Sequence, residues 1–156
     1  MMSKNAKETY LKIDFGSGYN PSPGFSTCDF TGNPMLDFQT KDYKIFCDKS
    51  KEIDEESVDE FHARNVIHHI EDLSRLFRMF YRYLKPGGRL VIVDCKEEFF
   101  SQNVFLDKLW YRYIIPRKEV WFSDHYRDYI KIAKENGFNL DEHTEDNEKE
   151  TVCFLK

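Results

Sequence analysis

An α/β sandwich on a mostly parallel sheet is what this sequence predicts, and three stretches predict it. In Leu11-Lys12-Ile13-Asp14-Phe15-Gly16-Ser17-Gly18 an alternating apolar run ends beside an acidic residue and breaks into a Gly-x-Gly turn. That is the pattern of a buried strand handing its carboxyl end to a ligand, with glycines where the backbone must pass close to something. Leu90-Val91-Ile92-Val93-Asp94 is a continuous branched run, as expected of a central parallel strand covered on both faces. Between them Ile70, Leu73, Leu76, Phe77, Phe80 and Leu84 recur at three- and four-residue spacing, which marks an amphipathic helix. Strands alternating with helical or turn segments, joined by short crossovers, give the sandwich.

Taken in order, residues 1–9 are polar and predicted to fray. Residues 10–15 form the first strand. Only ten residues separate Gly18 from Asp29, and Pro21, Pro23 and Gly24 are among them. A helix plus a full strand does not fit there, so the second strand is short, residues 26–29, and the preceding helix is missing or reduced to a turn. Thr31-Gly32-Asn33-Pro34 reads as a turn. Residues 43–48 read as a third strand ending at Asp48, residues 50–57 as an acidic loop, and residues 58–66 as a fourth strand. Lys85 precedes a proline and is biased out of the helical region, which stops the helix there. Gly87-Gly88 then turns the chain into the strand at 90–94.

Residues 99–122 are crowded with aromatics, from Phe99 and Phe100 through Trp110 to Trp121 and Phe122, interleaved with Lys108, Arg112, Arg117 and Lys118. They read as core or lid, or as a substrate pocket in which stacking surfaces and basic groups hold a planar or anionic molecule. Ser123 can cap a helix that runs to Asn136 and stops at Gly137. With helices missing early in the chain, one sheet face is expected to be thinly covered. The aromatic segment or a second copy in a homo-oligomer is expected to cover it.

The 156 residues suit one domain spanning 1–156, and 40% hydrophobic with 16% aromatic residues suits a folded core. A net charge of -5 offers no general attraction to phosphate backbones, so no nucleic-acid partner is expected. There is no apolar leader and no run long enough to span a bilayer, so the expectation is a cytoplasmic protein without a membrane partner. Cys28, Cys47, Cys95 and Cys153 are widely spaced and lack a Cys-x-x-Cys pair. Buried reduced thiols are expected, and no zinc ribbon.

Asp14-Phe15-Gly16-Ser17-Gly18, the acidic Asp29 eleven positions after Gly18, the run Ser57–Ile70 with its His68-His69 pair, and Tyr83-Leu84-Lys85-Pro86-Gly87-Gly88-Arg89-Leu90 together resemble the class I S-adenosylmethionine-dependent methyltransferases. The resemblance runs from about Leu11 to Asp94 and more faintly to the end. It implies a Rossmann-like sandwich in which residues 138–144 and 150–155 form the closing antiparallel hairpin. It also implies S-adenosylmethionine as cofactor. The shortened loop agrees with that choice: a dinucleotide needs a third glycine and a helix N-terminus for its pyrophosphate, whereas this cofactor has no phosphate.

The resemblance further implies roles. Gly16, Ser17 and Gly18 approach the methionine part, and Asp14 orders the loop or reaches the amino group through water. A plain strand-to-turn junction is the alternative. Asp29 accepts both ribose hydroxyls with its paired oxygens, or is an exposed turn aspartate. Phe30 flanks adenine. Asp48 accepts from the adenine amino group, or is a surface aspartate. Asn65 and Val66 lie beneath the sulfonium and the methionine carboxylate. His68 or His69 serves as base for a substrate hydroxyl, since imidazole titrates near working pH, or caps and packs the next helix. Asp94 and His125 are further candidate bases. Adjacent His residues on a helix diverge by about 100°, so no metal is expected there. The expected function is in-line methyl transfer to a small-molecule acceptor, a positioning task. The alternative is a catalytically inactive module that binds cofactor or a partner.

Overall fold

The structure is a computed structural model that describes residues 10–18, 20–30, 35–48, 50–95, 129–147 and 149–156. Its strands are β1 (Lys12–Phe15), β2 (Ser26–Asp29), β3 (Phe38–Lys41), β4 (Lys44–Phe46), β5 (Val58–Arg64), β6 (Leu84–Cys95), β7 (Asn139–Glu145) and β8 (Lys149–Leu155). Its helices are α1 (Leu73–Tyr83) and α2 (Tyr129–Glu135), with a 3-10 turn at Ile67–His69. The strands form one sheet in the order β4-β3-β2-β1-β5-β6-β8-β7. β3, β2, β1, β5 and β6 are parallel neighbours, while β4, β8 and β7 pair antiparallel. The Rossmann-like class and the closing C-terminal hairpin stand as expected.

Registers set which side chains share a face. Ile13 pairs with Phe61, Phe61 with Leu90 and Leu90 with Phe154, so these four point to one side of the sheet. α1 covers that side: Phe80 lies against Phe15 and Phe61 at 5.1 and 4.9 Å, and Phe77 against Phe154 at 6.2 Å. Each such fully buried side chain contributes about 2 to 3 kcal/mol. By alternation Lys12, Asp14, Glu60, His62, Arg64 and Arg89 point to the other side. Lys12 and Glu60 pair there at 3.2 Å.

Among the described residues no α-helix precedes Leu73, so the first half of the sheet has its helices reduced. The face opposite α1 is not the bare apolar surface that called for a cover. Its residues on β1 and β5 are charged or polar, and they pair as Lys12 with Glu60 and Arg64 with Asp14. The aromatic segment 99–122 and residues 1–9 lie outside the described residues.

Three boundaries differ from the sequence reading. The third parallel strand is Phe38–Lys41, not residues 43–48. A two-residue turn at Asp42-Tyr43 returns the chain as β4, antiparallel to β3. Both turn residues take positive φ, 50° and 56°, as a tight hairpin turn requires. Arg75 of α1 holds that turn, bonding Asp42 at 2.6 Å and lying 4.7 Å over the Tyr43 ring. The fourth strand, β5, stops at Arg64, ahead of Asn65 and Val66.

The strand at 90–94 begins earlier, at Leu84 directly after α1. Val58 pairs with Leu84 and Glu60 with Arg89, so Lys85-Pro86-Gly87-Gly88 bulges out at the amino edge of the sheet. There a Cβ on Gly88 would stand 2.8 Å from the Lys85 carbonyl oxygen. This turn is a folding device, remote from the carboxyl ends of the strands. At the start of α1, Asp72 caps the helix by accepting from Arg75 N at 2.9 Å.

Candidate functional site

The carboxyl ends of β1, β2 and β5 meet over the Gly16–Gly18 turn. Gly16 N and Ser17 N donate to the Cys28 carbonyl at 2.8 and 3.3 Å, tying the turn to β2. Gly18 N donates to Asp29 Oδ2 at 3.1 Å, and Phe30 N to Asp29 Oδ1 at 2.6 Å. Each oxygen of Asp29 therefore takes one backbone N–H and retains capacity for another donor. Phe30 is 41% exposed and its ring meets Phe15 edge-on at 5.2 Å. An aromatic ring left open beside Asp29 suits a planar partner.

Gly16 and Gly18 both have positive φ, but for different surroundings. A Cβ on Gly16 would stand 2.6 Å from Val66 Cγ2, so Val66 packs directly over the turn. At Gly18 nothing among the described residues lies within 4 Å of the same position. The glycine at 16 thus serves an internal contact between β1 and the end of β5, and only Gly18 opens outward. Asn65, next to Val66, also takes positive φ, 51°, and its N donates to the Val93 carbonyl at 2.8 Å.

Asp14 is fully buried on the polar face. Its Oδ2 accepts from Ser22 N at 2.6 Å and from Arg64 Nη2 at 2.8 Å, so it orders the loop. Among the described residues its buried Oδ1 has no partner, which makes it an open acceptor beside the turn. His62 Nδ1 and Ser22 Oγ lie 2.9 Å apart. Burial lowers the His62 pKa below its ordinary 6.5, with Asp14 opposing that shift and Arg64 adding to it. Arg64 and His62 escaped the sequence reading. The available signal was Glu60-Phe61-His62-Ala63-Arg64, in which a central strand alternates charged with apolar residues where a doubly covered strand would be apolar throughout.

On the α1 side His68 and Asp94 come together. His68 Nδ1 lies 2.7 Å from Asp94 Oδ1, and Asp94 Oδ2 accepts from Ile67 N at 3.1 Å. Both side chains are buried. The rings of His68 and His69 lie 4.1 Å apart on the 3-10 turn, and His69 is half-buried. His125 lies outside the described residues.

Asp48 is not brought to this site. β4 runs antiparallel to β3, and Phe46 pairs with Gln39, which pairs in turn with Asp29. Continuing past Phe46, the chain descends toward the amino edge on the outermost strand. Two strand spacings put it about 10 Å sideways from Asp29. There Asp48 is exposed and its Oδ1 accepts from Ser50 N and Lys51 N at 2.9 and 2.7 Å. Those bonds, Ser50 first, hold its carboxyl below the usual carboxylate range. It behaves as a turn-forming surface aspartate.

Cys28, Cys47 and Cys153 are free; Cys28 and Cys153 are buried, but Cys47 is exposed, against expectation. No helix among the described residues is long and apolar enough to cross a membrane.

The sequence pattern of a family described as a methyltransferase domain matches residues 13–143. Phosphoethanolamine N-methyltransferase 3 of Arabidopsis thaliana is 46% identical over 44 residues, covering 28% of this chain and 9% of that enzyme. A demethylmenaquinone methyltransferase of Listeria welshimeri is 24% identical over 111 residues, covering 60% of this chain and 47% of that enzyme. The chain thus spans less than half the length of these curated relatives. An S-adenosylmethionine dependent methyltransferase from Mesorhizobium loti shares the fold, with a TM-score of 0.69 at 12% identity over 94% of this chain and 90% of that one.

Proposed function

Because this chain belongs to the class I S-adenosylmethionine-dependent methyltransferases, we propose that it transfers a methyl group to a small-molecule acceptor at the crevice above Gly16–Gly18. S-adenosylmethionine is the cofactor of that family. The observation that supports this reading most is the junction of Gly18 with Asp29 beside the open Phe30 ring.

The residues fit such a cofactor. Gly16, Ser17 and Gly18 present backbone rather than side chains to its methionine part. Asp14 orders their loop, and its unpartnered Oδ1 is an acceptor that a water can bridge to an amino group. Asp29 takes the ribose hydroxyls on its two oxygens, and Phe30 flanks the adenine. Asn65 and Val66 floor the methionine end, and Asp48 has no part in it.

When bound, the cofactor supplies a methyl carbon made electrophilic by its sulfonium. What the chain must add is alignment, exclusion of water and a place for the acceptor's proton. His68 supplies that place in this reading. In this reading the contact of Nδ1 with Asp94 Oδ1 at 2.7 Å orients the imidazole. With the cofactor bound, the His68 ring would accept the proton the acceptor loses as the acceptor takes the methyl group and the carbon–sulfur electron pair leaves with S-adenosylhomocysteine, and buried Asp94 would steady the ring. His69 packs against this ring as its steric support. A small acceptor agrees with the compounds named in the relatives, phosphoethanolamine and demethylmenaquinone, which are not polymers. Free thiols agree with a reducing, cytoplasmic setting.

The test is formation of S-adenosylhomocysteine against a panel of small hydroxyl, amine and quinol acceptors. Turnover is expected, falling about a hundredfold in His68→Ala with cofactor affinity unchanged. Tight cofactor binding without turnover on any acceptor would instead favour the non-catalytic binding module.

A further inference from the structure

Resting on that cofactor reading, we propose that Arg64 and His62 are positioning residues for the cofactor loop, doing from beneath the sheet what a helix after the glycine turn would otherwise do. A glycine turn that opens a helix inherits its conformation from the helix. Here no described residue between β1 and β2 is helical. Among the described residues the loop's own backbone bonds beyond the glycines are two isolated turn contacts, Asn20 N to Ser17 O at 3.1 Å and Phe25 N to Ser22 O at 3.0 Å. A segment with so few internal bonds opens easily unless something outside it holds it.

What holds it is a row of side chains on the polar face of β1 and β5. Arg64 Nη2 donates both to Asp14 Oδ2 at 2.8 Å and to the Asn20 carbonyl at 3.0 Å, joining loop and sheet through one guanidinium. Ser22 is seized at two atoms: its N donates to Asp14 Oδ2 at 2.6 Å, and its Oγ meets His62 Nδ1 at 2.9 Å. The Phe25 ring lies 5.3 Å from the His62 ring, and Lys12 Nζ stands 5.1 Å from the Phe25 ring centroid. Asp14 is buried, and the Arg64 guanidinium at 2.8 Å is the cation beside its carboxyl that makes this anchor tenable. The consequence is specific. Loosening Arg64 or His62 frees Asn20, Ser22 and Phe25, and with them the adjoining Gly16–Gly18 turn that the reading sets against the methionine half of the ligand, and leaves Asp29 at the end of β2 and the next residue, Phe30, to hold the adenosine half.

Calorimetry with S-adenosylhomocysteine and with adenosine separates the two halves, and hydrogen exchange at Gly18, Asn20, Ser22 and Phe25 in the ligand-free protein reads the loop directly. Arg64→Met and His62→Ala are expected to speed exchange at these amides and to weaken S-adenosylhomocysteine about tenfold, with adenosine changed less than about twofold. His62→Asn, whose amide can replace Nδ1 toward Ser22, is expected to stay near wild type. His62 is only half-buried, so its variants keep the question open to measurement if Arg64→Met fails to fold. Unchanged exchange and affinity in the His62→Ala and Arg64→Met proteins, with the wild type binding both ligands, would overturn the positioning role alone. Equal weakening of both ligands would overturn it too, as a merely structural role. A wild-type protein that binds neither ligand would overturn the cofactor reading and this inference with it.

Discussion

The two faces of the sheet are held by different physics. Under α1 and α2, Ile13, Phe15, Phe61, Leu90, Ile92 and Phe154 are fully buried and packed on Phe77 and Phe80. Across the same strands, Lys12, Asp14, Glu60, His62 and Arg64 face the other way and are held by ion pairs and by bonds to Asn20 and Ser22 of the loop. Burial by dispersion and water release is non-directional and tolerates small shifts. Hydrogen-bonded charges specify positions and are worth little where water reaches them. One face therefore keeps the protein folded, and the other places the loop at the crevice.

The sharpest way to break this division is Phe80→Ala. It leaves a cavity among Phe15, Phe61 and Phe77, and it is expected to cost about 3 to 5 kcal/mol in denaturant unfolding. Arg64→Met on the opposite face strands the buried Asp14 carboxylate and is expected to cost about 2 kcal/mol, and Asp14→Asn added to it should restore part of that loss. A double-mutant cycle on these two residues measures the coupling.

A smaller effect is a pH slope. His62 has its folded pKa depressed below 6.5, chiefly by burial, with Asp14 and Glu60 opposing and Arg64 and Lys12 reinforcing the shift. Below 6.5 the unfolded chain therefore binds more protons than the folded one, and stability falls as pH drops from 6.5 toward the folded pKa. Melting temperatures between pH 7.5 and 5.5 should decline less in His62→Asn than in wild type. Smallest of all, Glu60→Gln removes the pair to Lys12 and is expected to change stability by less than about 1 kcal/mol. A loss of several kcal/mol there would mean that the polar face is structural in its own right.

What the sequence disclosed follows the same line between short and long range. Ile13 and Phe15, the α1 spacing and the run at 90–94 were legible because each is a local pattern of period 2 or 3.6 or a continuous apolar stretch. The β3–β4 hairpin was not. Asp42-Tyr43 lacks the Asn-Gly or Asp-Gly signature of a two-residue turn, and its strained backbone is held by Arg75, 33 residues away from Asp42. That single missed turn also places Asp48 away from Asp29 and the glycine turn, because a returning strand reverses the end at which its last residue stands. The His68–Asp94 pair spans 26 residues and the Asp14–Arg64 pair 50. Partners so far apart meet only once the parallel register is set, and no spacing in the chain announces them.

The central claim is that the crevice above Gly16–Gly18 holds S-adenosylmethionine by way of Asp29. Titration calorimetry of the wild-type protein and of Asp29→Ala against S-adenosylmethionine tests it most directly. Saturable one-to-one binding, weakened about tenfold or more by Asp29→Ala in a protein that remains folded, is the result predicted. Equal affinity in the two proteins, or no heat of binding to the wild type, would contradict it.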